Sequence, residues 1–571
     1  MNSKYFSNMR YFLIILFSVF STGFAFSQNG KKVQFVGGAR SLNTLAELDT
    51  ASTPKRSGGY ALLDLGIKIN PNSNTEVMGM FRINNEYGGF WGGGVNIDVR
   101  QLYVRGVAND IFRYQLGNID YKLTPYTFYN HNQDILTSSI GTLGIREDVF
   151  NYETFYSDNT WRQQGASLNF GLELPNAIKD IEVNSFISRL NRSDFNYVLD
   201  RFFGGGNVVI NKDDNLEIGL NHVSIFDLSG TARTDNIYNN NVSSITFDYH
   251  LEKNNFVYGI DGEYGVSSLS QSESPEDSLT DYFVHARGYM NFNSGLELCF
   301  GILDNGADFR SFGAQSRRAS FNQENNFFNR YIDLTDTTEI LRPVSLFDLY
   351  NDPQLYNQGI SVGLMETNPI ISSVLPYGIA SFNRQGGYFG IKNDDPKDLI
   401  DFNGRVYMLS ESRGQGTLAL KSFLMSEIVA TIHAEKIWDG KNELNIQLSQ
   451  NHQQSTRDGE FDFESVDFTT NQFNIGIEYE VIEDVYLMGN YLKLNASGND
   501  QMPIRNSEDE IINYENFIVD GQESLVSSGM KISFSKKSYL AIIHDRFKYR
   551  FSQISHEYDF NQTSVVYVLK F

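Results

Sequence analysis

Histidine, cysteine and carboxylate side chains could carry chemistry in this chain, and their spacing argues against it. His131, His222, His250, His285, His433, His452, His544 and His556 are scattered, with no pair at a metal-ligand interval and no HExxH run. The paired acids Asp213-Asp214 and Asp394-Asp395 fit solvated turns better than calcium loops. No GxSxG, P-loop or dinucleotide fingerprint stands in a fitting context. The runs Gly92-Gly93-Gly94 and Gly204-Gly205-Gly206 read as bends at strand ends. We therefore expect no enzyme activity, no metal and no cofactor. Cys299 is the single cysteine, so no intrachain disulfide can form. It alternates with Glu297 and Gly301 and is expected to be a small filler on a polar face.

The elements that would position any site are strands. Aromatic residues make up 14% of the 571 positions and glycine 48 of them, against 11 prolines, a mix that favours strands and tight turns. In 61–70, Ala61, Leu63, Leu65, Ile67 and Ile69 share one face; Asp64, Gly66, Lys68 and Asn70 share the other, with Leu62 the exception. The same period of two runs through 168–174, 245–252, 444–449 and 473–481. A soluble sandwich also alternates. These strands are longer than soluble ones, about 10–14 residues, the length of a tilted membrane strand.

The N-terminal 1–27 reads as a secretory signal: Lys4 and Arg10, then the apolar run Tyr11 to Phe20, then Ala25-Phe26-Ser27 before Gln28. An uncleaved anchor is the alternative, and the run is short for one. Removal of Lys4 and Arg10 with this segment takes the net charge from −23 to −25. That acidity excludes nucleic-acid binding, which needs a basic footprint. Past this segment no apolar run is long enough for a membrane helix, so insertion must use strands.

Counted back from Phe571, short turns alternate with long loops. Ser535 to Lys537, Ile482 to Asp484, Asp439 to Asn442, Asn393 to Lys397, Ser294-Gly295, Lys253 to Asn255, Lys212 to Asp214, Pro175 to Ala177, Asn109-Asp110 and Pro71 to Ser73 are short. Residues 497–523, 453–467, 304–384, 269–281, 228–241 and 122–161 are long. This is the asymmetry of an outer-membrane barrel, with both termini in the periplasm. The expected fold is all-β: one transmembrane antiparallel β-barrel over 28–571, of about 22 strands within a range of 18–22. The region 385–437 is the least regular part of the count.

The inner face then supplies Asp64, Glu173, Asp248, Glu252, Asp261, Glu263, Glu297 and Glu478 against Lys68, Arg287, Lys531 and Lys570. Either an acidic, cation-favouring pore or a salt-bridged closed interior fits these residues. A lumen this wide exceeds what side chains alone fill. The insertion 304–384, with Arg310, Arg317, Arg318, Arg330 and Arg342, is the candidate constriction if it folds inward; it could equally cover the mouth or meet lipopolysaccharide or a partner.

The chain resembles porin-like outer-membrane barrels over 31–571, on its signal segment, its alternation and its closing strand. In Thr563 to Phe571, Tyr567, Leu569 and Phe571 share one face. The resemblance implies that the barrel-assembly machinery reads the terminal aromatic. The TonB-dependent transporters, similar in strand number, carry a long plug before the barrel, for which the residues ahead of 33 leave no room. Expected partners are outer-membrane lipid, that machinery and possible envelope proteins. Two functions stay open: a channel for small polar solutes or cations, and a non-conducting accessory subunit of an outer-membrane assembly.

Overall fold

Strands with one apolar face must bury it in protein or in lipid, and here the sheet curls until it closes. The computed structural model describes residues 32–571 except 49–54, 87–94, 120, 130–138, 155–162, 175–177, 235–236, 272–277, 316–372, 396, 438–439, 506–510 and 552–557. One antiparallel sheet of 22 strands forms the wall. Its first half is β1 (Val33–Leu48), β2 (Arg56–Asn72), β3 (Thr75–Glu86), β4 (Val95–Ala108), β5 (Phe112–Ile119), β6 (Gln163–Glu173), β7 (Asp180–Asn191), β8 (Asp200–Asn211), β9 (Leu216–Leu228), β10 (Tyr238–Lys253) and β11 (Phe256–Gln271). Its second half is β12 (Leu279–Phe292), β13 (Leu296–Asn305), β14 (Arg384–Asn393), β15 (Ile400–Ser410), β16 (Ser422–His433), β17 (Leu444–Arg457), β18 (Val466–Ile482), β19 (Val485–Arg505), β20 (Ile511–Ser535), β21 (Ser538–Phe551) and β22 (Tyr558–Lys570).

Each strand pairs with its successor. The ring closes where β1 meets β22, from Gly38 opposite Lys570 to Leu48 opposite Phe560. The Gly37 and Phe571 backbones exchange a pair of 3.0 Å hydrogen bonds at this seam. Closure removes the sheet edge, which lipid would leave unsatisfied. The described chain ends share one end of the barrel with the short turns. There Asn109 and Asp110 both take positive φ, 52° and 57°, the two-residue turn that matches strand twist.

The faces separate as the period of two requires. Phe81, Leu116, Leu172, Ile245, Phe300 and Val526 point outward and stay exposed, whereas Asp64, Asn221 and Glu263 point inward and are buried. An apolar belt this continuous belongs in hydrocarbon. Aromatic pairs rim it beside the short turns: Phe112 with Phe170 at 5.5 Å, Phe256 with Phe292 at 6.0 Å, and Phe534 with Tyr567 at 6.2 Å. No helix among the described residues is long and apolar enough to cross a membrane.

Several expected loops are shorter than their composition suggests. The expected loop 497–523 is mostly hairpin: β19 runs to Arg505 and β20 starts at Ile511, with Asp500 opposite Phe517 and Pro503 opposite Tyr514. The expected loop 453–467 contracts to the residues between Arg457 and Val466. Asn, Ser, Gly and Pro read as loop, but a ribbon standing clear of lipid needs no apolar face. The uncertain region 385–437 resolves into β14, β15 and β16.

Candidate functional site: the barrel lumen

Three chain segments enter the lumen, and each lands on wall positions whose side chains break the polar inner pattern. The first lies between β5 and β6. Tyr126 and Phe128, essentially without solvent exposure, press into an aromatic patch of the wall. Tyr126 stacks on Phe283 at 4.3 Å, and Phe128 meets Phe203 edge-on at 4.6 Å and Phe186 at 5.1 Å. Thr124 Oγ1 donates to the buried Glu263 carboxylate at 2.7 Å.

The second segment is α1 (Gly141–Thr154), the 14-residue helix of the same connection. The wall caps its first turn. Asn490 Oδ1 accepts from the backbone N–H of Thr142 at 2.8 Å and of Leu143 at 3.3 Å, and from Thr142 Oγ1 at 2.8 Å. Glu478 Oε2 accepts from the Gly141 N–H and Gln447 Oε1 from the Ile140 N–H, both at 3.2 Å. A helix N-terminus offers unbonded N–H groups and partial positive charge, so amide and carboxylate oxygens suit it. Gly141 has φ +70°, and a Cβ there would sit 2.7 Å from Asn490 Oδ1, so glycine is what permits the close approach.

The far end of α1 is held as firmly. Asp64 takes two bonds from Arg82, Nε to Oδ1 and Nη2 to Oδ2, each 2.7 Å. It takes a third from Arg100 at 2.7 Å and a fourth from the Tyr152 hydroxyl at 2.6 Å. Arg100 also donates to the Tyr152 carbonyl at 2.6 Å. Leu62, the exception in its alternating strand, belongs to the apolar cluster that receives Ile145 of α1. Exchanging Asn490 for leucine leaves several α1 donors buried without their acceptor. The expected cost is about 1–3 kcal/mol in urea unfolding of the detergent-folded barrel, with an unchanged slope; a loss below about 0.5 kcal/mol would mean the cap is idle.

The third segment is the described part of the insertion, 306–315 and 373–383. Its Phe309, Ser311, Gln315, Val374, Ala380 and Ser381 are almost wholly buried. Arg310 is 2% exposed and donates to the Ala307 and Phe309 carbonyls at 3.0 and 2.9 Å, over the Phe382 ring at 4.4 Å. It packs the loop rather than facing a solvent path. Arg317, Arg318, Arg330 and Arg342 lie outside the described residues, as does the signal segment 1–27.

The inner-face acids and bases largely find one another. Lys68 reaches Glu76 at 3.4 Å, and Glu76 also meets Arg105 and the Tyr103 hydroxyl, each at 2.9 Å. Arg287 meets Asp261 at 2.9 Å, and Lys531 meets Glu478 at 2.5 Å. Glu297 stands opposite Lys392. Lys570 places its ammonium over the Tyr152 ring at 5.5 Å. Glu173 and Glu252 sit exposed at strand ends beside the short turns. Cys299 is half-buried, and a Cβ on Gly390 would come 2.6 Å from its Sγ, so the site admits only a small neighbour.

The register adds an alignment that spacing in one strand could not show. Glu173 stands opposite Asp180, Asp180 opposite Asn211, and Asn211 opposite Glu217. Glu217 in turn faces Asp248, and Asp248 faces Asp261. Carboxylates, interrupted by Asn211 on β8, thus follow one line of cross-strand pairs along the inner wall from β6 to β11, with Arg287 at the end of the row. Asp180, Glu217, Glu76, Arg82 and Arg100 were missed in sequence; Asp180 and Glu217 alternate with apolar neighbours and were readable, the arginines less so. A cavity of about 990 Å³ is lined by Lys32, Gln34, Asn72, Glu76, Arg105 and Arg113 among others.

A closed antiparallel ring with an apolar outside and a charged inside defines the class: this is a transmembrane β-barrel. No family model matches the chain, and no curated protein matches it. Solved structures similar to it include the copper transporter OprC, at 10% identity and TM-score 0.45, covering 94% of this chain and 80% of that one. OccK5 (OpdH) of Pseudomonas aeruginosa is 9% identical at TM-score 0.32, covering 94% and 98%. A BenF-like porin from Pseudomonas fluorescens Pf-5 is 8% identical at TM-score 0.33, covering 95% and 99%.

Proposed function

We propose that this protein is an outer-membrane channel for small polar solutes or cations, narrowed by its own inward segments. The acidic row from Glu173 to Asp261 carries the reading. Such a row on a water-filled wall raises the local concentration of cations and discourages anions. Nothing in barrel closure requires those positions to be acidic. In this reading residues 1–27 direct export and are removed, the end bearing the termini faces the periplasm, and Tyr567, Leu569 and Phe571 are the face offered to the assembly machinery.

The accessory-subunit reading draws on a different observation, the amount of protein inside the ring. Buried clusters fill the lumen against β7 to β12 and again against β13 to β16.

Single-channel recording of the mature protein in planar bilayers tests both, with and without 316–372. A steady cation-preferring conductance in the intact protein, enlarged by the deletion, supports the channel. Conductance only after deletion makes the insertion a plug. Silence from both folded proteins removes the channel reading and leaves the accessory one.

A further inference from the structure

The geometry points to α1 as an internal clasp on the seam where the barrel closes. The seam joins β1 to β22. These strands lie at opposite ends of the described chain, and pairing at such separation is costly in loop-closure entropy.

The helix lies across that seam. Its first turn is fixed to Gln447, Glu478 and Asn490, on β17, β18 and β19. Its last turn is fixed to Asp64 of β2 and Arg100 of β4. Between these anchors Ile145 packs into a cluster with Leu42 of β1, Leu62 of β2, Ile543 of β21 and Val566 and Val568 of β22. Tyr152 lies beside the first residue pair of the seam: its hydroxyl is 3.7 Å from where a Gly38 Cβ would be, and its ring takes the Lys570 ammonium. Only about 20 Å³ of space remains among Gly38, Asp148, Tyr152, Tyr539 and Lys570.

A helix hung in the lumen only to obstruct solutes would leave the wall beneath it polar. Here the inner wall turns apolar beneath the helix, on both sides of the seam. Ile145 joins the cluster in which the β1 and β22 side chains are buried, which ties seam closure to helix docking. This inference stands whether or not the barrel conducts.

Amide exchange of the full-length mature protein in detergent tests it, using Ile145→Ser and, should that variant fail to fold, the milder Tyr152→Phe. Displacement of the helix is verified independently by thiol labelling at Thr142→Cys, in a Cys299→Ser background. With α1 loosened, β1 and β22 amides should exchange about tenfold faster while β7 to β9 amides keep their rate. A cross-seam disulfide from Ser41→Cys with Tyr567→Cys, positions that stand opposite one another, should reverse the change. Unchanged seam exchange with the helix shown to be displaced would overturn the inference. So would an equal acceleration across all strands, which would make α1 a general stabiliser.

Discussion

Replacing Asp64 by alanine is expected to cost the folded barrel about 3–5 kcal/mol, the range found when one partner of a buried ion pair is removed. The carboxylate has no solvent exposure and neutralises both Arg82 and Arg100, whose side chains are 8% and 3% exposed. Without it both guanidiniums lose this buried counter-charge, and the Tyr152 hydroxyl loses this acceptor. The measurement is the urea midpoint of the barrel in detergent, followed by its heat-shifted migration on gels. Asp64→Asn should fall between the two, since it keeps an acceptor and the volume but not the charge. A loss under about 1 kcal/mol for the alanine variant would show that water or another acid takes over the arginines.

The second large effect concerns permeation. Neutralising the acidic row with Asp180→Asn, Glu217→Gln and Asp248→Asn should lower the cation-to-anion permeability ratio about tenfold at low salt. A unit charge about 16 Å from a passing ion in water favours a cation and disfavours an anion by about 0.25 kcal/mol each, so the three substitutions together remove about 1.5 kcal/mol from the cation-over-anion preference. The reversal potential across a salt gradient reads this directly, and raising the salt should shrink the difference as screening shortens. An unchanged reversal potential in a conducting variant would place selectivity elsewhere, with Glu76, Arg105 and Arg113 the next candidates.

The architecture was readable because a lipid-facing strand has to alternate. Leu63, Leu65 and Ile67 against Asp64, Gly66 and Lys68 fix the two faces, and the rhythm of short and long connections points to about 22 strands. The lumenal contents were much less legible. The connection 122–161 reads as an ordinary loop, since α1 owes its stability to caps supplied by Asn490 and Glu478, more than three hundred positions away. Leu62 was the available clue: an apolar residue on a polar face calls for something apolar opposite it. The pairing of Asp64 with Arg82 and Arg100 depends on strand register, which one sequence does not disclose. The carbonyl partners of Arg310 were hidden for a similar reason. A basic residue in a long loop resembles a pore lining until its carbonyl partners are known.

The connection between β5 and β6 meets the wall on three separate arcs, at Glu263, at Asn490 and at Asp64. Mechanically this makes it a set of spokes. A hoop of strands resists stretching well but ovalises readily under uneven side pressure, since flattening only bends it. Spokes ending on different arcs turn that soft bending into strain on short polar bonds. A brace of this kind, running through α1 from Asn490 to Asp64, ties two arcs of the wall to one rigid helix.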